Sequence, residues 1–144
     1  MVRKKRIAII GQGYVGEALA KSAILVGHEV IGVDIDKERV LELQESFQNS
    51  MYQITSDVSR LSSCEVVVIA VPTPLASNRE PDISALMHAI ASIKPYLLEG
   101  TLVINESTSY PGTLRNLLAA KLGEGYFYAA APERVDPANI SWNI

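Results

Sequence analysis

Three glycines at fixed spacing constrain this chain more than any other feature. A short apolar run, residues 7–10, ends at Gly11, and Gly13 and Gly16 complete a Gly-x-Gly-x-x-Gly pattern. A helical pattern follows at once, and a second β-rich run ends at Asp34. Strand, glycine turn, helix, strand and acid is the order that a dinucleotide site requires.

Each position in the glycine pattern has a physical role. Gly11 permits a tight turn after the first strand, and Gly13 has no Cβ, so a pyrophosphate can approach the backbone closely. Gly16 lets the helix lie close to the sheet. The start of the helix, at Tyr14 and Val15, offers free N–H groups and a partial positive charge to phosphates. These five residues are therefore predicted to bind the cofactor.

The acid after the second strand predicts which dinucleotide binds. Asp34 is placed to accept hydrogen bonds from the ribose hydroxyls, and its charge would repel a 2′-phosphate, so we expect NAD rather than NADP. Asp36 is the rival for the ribose, but it is also well placed to cap the next helix. A site for S-adenosylmethionine also uses a glycine turn and an acid. The third glycine favours the dinucleotide.

Composition excludes several classes of protein. The length of 144 residues suits one domain, and 48% hydrophobic residues with a mean hydropathy of +0.15 can bury a core. The net charge of −3 argues against a nucleic-acid surface. Gly11 interrupts the apolar run after the basic residues 3–6, so neither a signal peptide nor a membrane span is expected. A single cysteine allows no internal disulfide, which makes the cytoplasm the default compartment. No metal site is expected.

The rest of the chain alternates between strand and helix patterns. Strands are predicted at residues 7–10, 30–33, 51–56, 65–71, 101–105 and 126–130. Helices are predicted at residues 14–26, from residue 36, at residues 82–97 and at residues 114–122, with Val26 and Leu41 among the buried positions. This order predicts an α/β fold, a doubly wound parallel (Rossmann) sheet in strand order 3-2-1-4-5-6, within a single domain.

Right-handed crossovers bring several loops to one edge of such a sheet. They are residues 71–74 (Val-Pro-Thr-Pro), 106–113 (Glu-Ser-Thr-Ser-Tyr-Pro-Gly-Thr) and 131–137 (Ala-Pro-Glu-Arg-Val-Asp-Pro). Ligands of open α/β folds bind at this edge. Cys64 precedes a strand at the opposite edge, so it is predicted to be a buried structural thiol rather than a nucleophile.

Together with residues 11–16, these loops resemble the nucleotide-sugar dehydrogenases, the UDP-glucose/GDP-mannose dehydrogenase family. Residues 131–137 and the loop at residues 78–82 (Asn-Arg-Glu-Pro-Asp) look most like the branch that oxidises UDP-N-acetylhexosamines at C6. The resemblance runs along the whole chain. Four motifs in one order are far more specific than any one of them.

The resemblance implies a two-step oxidation of the C6 alcohol of a UDP-sugar, with two NAD molecules reduced to NADH. The alcohol becomes an aldehyde, then a thiohemiacetal on a cysteine, then a thioester that water hydrolyses to the carboxylate. Thr108 corresponds to the threonine that positions a water or the substrate oxygens, and Glu133 to a general base or water-orienting group. Pro137 stands where some members have a second glutamate. Further cofactor contacts are implied at Val71, Pro72, Thr73, Ser107 and Thr108.

The same resemblance implies that part of the enzyme lies outside these 144 residues. The nucleophilic cysteine, the middle helix through which members form homodimers and the C-terminal sugar-nucleotide domain have no counterpart here. We therefore expect residues 1–144 to be the NAD-binding domain, inactive alone, with Trp142 covered by the missing part. Two alternatives stay open: a regulatory NAD-binding module without chemistry, and another enzyme such as a 3-hydroxyacid dehydrogenase.

Overall fold

The computed structural model describes residues 3–133, which form one six-stranded sheet with helices on both faces. The strands are β1 (Arg6–Ile10), β2 (Glu29–Val33), β3 (Tyr52–Thr55), β4 (Val66–Ile69), β5 (Leu102–Asn105) and β6 (Phe127–Ala130). The helices are α1 (Tyr14–Leu25), α2 (Lys37–Ser46), α3 (Ser84–Ile93) and the short α4 (Ala120–Leu122). Two 3₁₀ segments, Val58–Ser63 and Lys94–Tyr96, and one π-helical segment, Leu114–Ala119, complete the described elements.

All neighbouring strands of the sheet are parallel, in the order β3-β2-β1-β4-β5-β6. The predicted strand order is confirmed. Ile10 at the end of β1 pairs with Val33 and Ile69, the last residues of β2 and β4. Asn105 pairs in turn with Ile69 and with Ala130, the last residue of β6. The carboxyl ends of these five strands are therefore level, and the loops that follow them share one edge.

The side chains of the sheet divide between two cores, one on each face. One core packs β-strand residues such as Ile9 and Val30 against α1 and α2. The other packs residues such as Val67 and Ile69 against α3, the 3₁₀ segment Val58–Ser63 and the helical segment before β6. Continuous apolar runs in the strands are required by this arrangement, because a parallel sheet is covered on both faces. The predicted doubly wound α/β fold is confirmed.

Several local predictions differ from the structure. Val26 and Leu41, predicted to be buried, are 63% and 58% exposed. Val26 lies beyond the last turn of α1, and Leu41 points away from the stripe that α2 buries with Val40 and Leu43. The helix predicted after a cap at Asp82 begins at Ser84, with Ile83 as its N-cap residue. The Asp82 carboxylate accepts hydrogen bonds from the Ser84 amide and hydroxyl just before the helix.

The ends of two predicted elements also move. β4 ends at Ile69 and not at residue 71, since the Val71 amide and carbonyl bond to the Ser107 hydroxyl in the loop after β5. Helix α3 ends at Ile93 because Pro95 converts the next turn to the 3₁₀ segment Lys94–Tyr96. Within residues 3–133, none of the helices has the length and apolar character needed to cross a lipid bilayer.

Candidate functional site

The glycine turn after β1 has three positions with different steric demands. Gly11 has a φ of 93°, and a Cβ there would lie 2.5 Å from the Ala70 carbonyl oxygen. A Cβ on Gly16 would lie 1.9 Å from the Gly11 carbonyl oxygen, so α1 packs directly on the turn. Around Gly13, by contrast, no heavy atom of the described chain lies within 4 Å of the Cβ position, apart from Gly13 itself and its two neighbours in sequence. Gly11 and Gly16 are therefore required by the fold, whereas Gly13 faces open space that a ligand can enter.

Helix α1 begins at this open space. Gly13 is its N-cap residue and, within the described chain, no side chain accepts a hydrogen bond from the first turn. The side chain of Tyr14 is exposed and that of Val15 partly exposed. Unpaired N–H groups at a helix N-terminus and the helix dipole favour an anion. The turn therefore has the shape and polarity of a site for a pyrophosphate.

The carboxylate of Asp34 is held at the end of β2, beside the turn. Its Oδ2 accepts a hydrogen bond of 2.6 Å from the Gln12 amide, and its Oδ1 accepts one of 2.9 Å from the Asp36 amide. Asp36 is the cap of α2, since its Oδ1 accepts from the amides of Glu38 and Arg39. The cap role expected for Asp36 is confirmed. Binding of a ribose by the partly exposed Asp34 stays a prediction.

The loops after β4 and β5 are fastened to each other. The Ser107 hydroxyl accepts a hydrogen bond of 3.0 Å from the Val71 amide and donates one of 2.8 Å to the Val71 carbonyl. The Thr73 hydroxyl donates to the Thr108 carbonyl at 2.6 Å. Ser107 is buried and Pro72 is exposed. The structure thus gives the Ser107 hydroxyl a structural role in joining the two loops, and the predicted cofactor contacts of these residues stay predictions.

The two predicted catalytic residues follow neighbouring strands. Thr108 is exposed three residues after β5, and Glu133 lies three residues after β6. Burial raises the pKa of Glu106, and the charge of Glu133 at the same edge of the sheet raises it further. Residues 134–137 of the last motif lie outside the described residues, as does Trp142. The catalytic roles of Thr108 and Glu133 stay predictions.

Sequence reasoning missed three residues that shape this site: Gln12, Tyr52 and Arg39. The Gln12 side chain is 0% exposed and accepts a hydrogen bond from the Tyr52 hydroxyl. The Arg39 guanidinium donates to the Gln12 carbonyl at 2.8 Å and to the Glu17 carboxylate at 2.5 Å. A polar residue inside the glycine pattern was the available signal for Gln12. Nothing in the sequence indicated that the edge strand would supply its partner.

The opposite edge of the sheet offers no comparable site. A polar cleft lies there between Arg6, Glu29 and Arg60, but Arg6 already pairs with Glu29 at 2.8 Å. Cys64 is also on this side; burial raises the pKa of its thiol to about 11. This agrees with the predicted structural thiol, because a reactive cysteine needs a lowered pKa. Within residues 3–133 no group of three His, Cys, Asp or Glu side chains is placed to hold a metal ion.

Comparison with known proteins identifies the family. The sequence profile described as "UDP-glucose/GDP-mannose dehydrogenase family, NAD binding domain" matches residues 5–143. The chain belongs to this family. It is the family's NAD-binding domain, and NAD is its cofactor.

Individual relatives agree with this assignment. The chain is 37% identical over 153 residues to UDP-N-acetyl-D-mannosamine dehydrogenase of Methanocaldococcus jannaschii, covering 94% of this chain and 36% of the relative. It is 30% identical over 154 residues to UDP-N-acetyl-D-glucosamine 6-dehydrogenase of Salmonella typhi, with 93% and 36% covered. A solved structure of UDP-D-ManNAc dehydrogenase from Pyrococcus horikoshii superposes with a TM-score of 0.83 at 32% identity, covering 92% of this chain and 37% of that one. The chain therefore spans about a third of the length of these relatives.

The geometry of the site fits the family's cofactor. A dinucleotide needs a backbone free of side chains where the pyrophosphate lies, and the space beside Gly13 meets that need. It also needs a carboxylate at the end of the second strand, and Asp34 is held there by two amides. The third glycine, Gly16, was predicted to let the helix lie close to the sheet, which favoured a dinucleotide over S-adenosylmethionine. The close contact between α1 and the turn at Gly16 is confirmed. The alternative of a different hydroxyacid dehydrogenase is not favoured.

Proposed function

We propose that this chain is the cofactor-binding domain of an NAD-dependent UDP-sugar 6-dehydrogenase. The enzyme oxidises the C6 alcohol of a UDP-N-acetylhexosamine, or of UDP-glucose, to a carboxylate. The observation that carries the proposal is the juxtaposition of the open Gly13 position with the fixed carboxylate of Asp34. The names of the two dehydrogenases compared by sequence above support an N-acetylhexosamine as the sugar.

In this proposal the chain's own residues divide between binding and positioning. The first-turn amides of α1 bind the pyrophosphate, and Asp34 binds the ribose of the adenosine. The bound NAD supplies the acceptor for a hydride from C6. Thr108 and Glu133, in loops at the same edge, position a water or the substrate oxygens and accept a proton. The hydrogen bond from Thr73 to the Thr108 backbone fixes the loop that presents the Thr108 side chain.

The rest of the proposal concerns the complete enzyme. Residues 1–144 form its NAD-binding domain, and a middle helix and a sugar-nucleotide domain supply the nucleophilic cysteine and most of the sugar pocket. We further propose a homodimer in the cytoplasm that makes precursors for polysaccharides. In this proposal the homodimer binds neither nucleic acid nor a membrane.

Calorimetric titration with NAD and NADP tests the binding half of the proposal. We expect the wild-type protein to prefer NAD, because the Asp34 carboxylate repels a 2′-phosphate. Asp34→Ala removes the charge and should abolish the preference. Asp36→Ala is the matched control, since it removes a neighbouring carboxylate that caps α2 and should leave the preference intact. Equal affinity of the wild type for both dinucleotides would count against the assignment.

The catalytic half is tested with the enzyme expressed from its complete reading frame. NADH formation is followed with UDP-N-acetylglucosamine, UDP-N-acetylmannosamine, UDP-glucose and a set of 3-hydroxyacids. Activity confined to a UDP-sugar, with two NADH formed for each sugar, is the expected result. A purely regulatory module would bind NAD and oxidise none of these compounds, and oxidation of a hydroxyacid alone would assign the chain to another reaction.

A further inference from the structure

Gln12 is the point where the glycine turn joins the edge of the sheet. Its side chain is 0% exposed, and its Nε2 donates to the carbonyl oxygens of Ile9 at 2.9 Å and of Gly11 at 3.1 Å. Its Oε1 accepts from the hydroxyl of Tyr52, on the edge strand β3. The amide side chain therefore fixes the backbone at the end of β1 and at Gly11, just before Gln12, and its own position is fixed by the Tyr52 hydroxyl.

The backbone of the same residue holds the two charged side chains beside the turn. The Gln12 amide donates to Asp34 Oδ2 at 2.6 Å, and the Gln12 carbonyl accepts from Arg39 Nε at 2.8 Å. The amide and the carbonyl belong to the two peptide units that meet at the Gln12 Cα, so a shift of the Gln12 backbone would change both contacts. The orientation of the Asp34 carboxylate therefore depends on a residue whose own position depends on Tyr52.

The pair formed by Gln12 and Tyr52 occupies a space that the chain keeps clear. A Cβ on Gly32 would lie 2.7 Å from Gln12 Cδ and 2.9 Å from Tyr52 Cε2. Tyr52 is 4% exposed, and its ring packs edge-on against Phe47 with the centroids 5.5 Å apart. Burial raises the pKa of Tyr52, so its hydroxyl keeps its proton and remains a donor to Gln12 near neutral pH. The hydrogen bond is therefore buried, with the Tyr52 hydroxyl as donor and Gln12 Oε1 as acceptor.

We propose that Tyr52 is a positioning residue for the adenosine end of the cofactor, acting through Gln12 on Asp34. This inference rests on the proposed function, because it assumes that Asp34 binds the adenosine ribose. Tyr52 lies on β3, and its hydroxyl donates its hydrogen bond to Gln12. Its effect is indirect: by holding the Gln12 side chain, Tyr52 fixes the Gln12 backbone, whose amide bonds the Asp34 carboxylate and whose carbonyl bonds the Arg39 side chain.

Tyr52→Phe tests the inference by removing only the hydroxyl. We expect NAD and ADP-ribose to bind about two- to tenfold more weakly, which is the change in affinity that corresponds to the loss of one neutral hydrogen bond. Nicotinamide mononucleotide, which lacks adenosine, should bind with unchanged affinity. Amide hydrogen exchange of Gln12, measured by NMR on the protein without ligand, should become faster because its bond to Asp34 is less often formed.

Tyr128→Phe is the matched control. It removes a hydroxyl that donates to the Gly123 carbonyl at 2.5 Å, in the loop before β6 at the opposite edge of the sheet. Its melting temperature should fall as that of Tyr52→Phe falls, whereas its affinity for ADP-ribose should not change. An equal loss of ADP-ribose affinity in both variants would overturn the inference, because loss of stability alone would then explain the effect.

Two further variants make the test independent of Tyr52→Phe. Gly32→Ala pushes Gln12 and Tyr52 apart without removing a polar group, and it should show the same selective loss of ADP-ribose. In a Gln12→Leu background the hydroxyl has no acceptor, so adding Tyr52→Phe should change ADP-ribose affinity no further. Additive losses in that double variant would refute the route through Gln12. A wild-type protein that binds no NAD would instead refute the proposed function.

Discussion

Replacing Gly13 by alanine separates the requirements of the ligand from those of the fold. Gly13 has a φ of −67° and a ψ of −170°, which alanine adopts without strain, and its Cβ position is clear for 4 Å. Alanine is a poorer N-cap residue than glycine by roughly 0.5–1 kcal/mol, but it lowers the entropy of the unfolded chain by about 0.4–1 kcal/mol. These terms nearly cancel, so the free energy of unfolding should stay within about 0.5 kcal/mol of the wild type.

Binding of NAD should respond very differently. The new methyl group occupies the space in which the pyrophosphate contacts the start of α1, so the phosphates must move away from the N–H groups. Loss of two hydrogen bonds to a charged group corresponds to about 3 kcal/mol or more, which is a loss of more than about a hundredfold in affinity. Thermal unfolding and calorimetric titration measure the two quantities on the same sample.

Gly16→Ala provides the contrasting case. Its Cβ would lie 1.9 Å from the Gly11 oxygen, whereas ordinary contact begins near 3.4 Å, so the start of α1 must move by about 1.5 Å. Overpacking of this kind costs about 1–3 kcal/mol, and the melting temperature should fall by about 3–10 °C. Normal NAD affinity in a stable Gly13→Ala protein would refute the placement of the pyrophosphate.

Three more predictions follow from the surroundings of the site. Burial and the charge of Glu133 raise the pKa of Glu106 in the folded state, so stability should decline as the pH rises above about 4.3, the usual pKa of an unfolded glutamate. Glu106→Gln should remove that part of the decline in melting temperature, and Glu124→Gln, at an exposed position, should not. Ser107→Ala should lower the free energy of unfolding by about 1–3 kcal/mol in denaturant titrations, since it leaves a loop amide without its acceptor; an unchanged midpoint would contradict the joining role. The Cys64 thiol should resist iodoacetamide at pH 8 in the folded protein and react in guanidinium, because burial raises its pKa to about 11; rapid labelling of the folded protein would contradict its burial.

The parts of the fold that depend on local chemistry were predictable from sequence. A buried parallel strand needs a continuous apolar run, and residues such as Val67 and Val68 provide it. The glycine pattern fixed the position of the turn because backbone contact leaves no room for a Cβ at Gly11 or Gly16. Errors occurred at Val26, just beyond the end of α1, and at Leu41, beside the buried stripe of α2, because the apolar period alone does not decide where a helix ends or how wide its buried stripe is.

The site was predictable only in outline. Asp34 could be named because its position at a strand end follows from the order of elements. The joining role of Ser107 could not, because its partner Val71 lies 36 positions away and meets it only when β4 and β5 pair. The π-helical segment Leu114–Ala119 likewise has the apolar spacing of an ordinary helix, and only its packing reveals the difference.

The sequence by itself determined the class of fold, the glycine turn and the acid that follows β2, because each rests on residues close together in the chain. Tertiary structure alone decided what holds that acid in place. Gln12 and Tyr52 are 40 positions apart, and the pairing of β2 with β3 brings them together over Gly32. A hydrogen bond between distant residues depends on the register of the strands between them, and that register is set by the packing of the whole sheet.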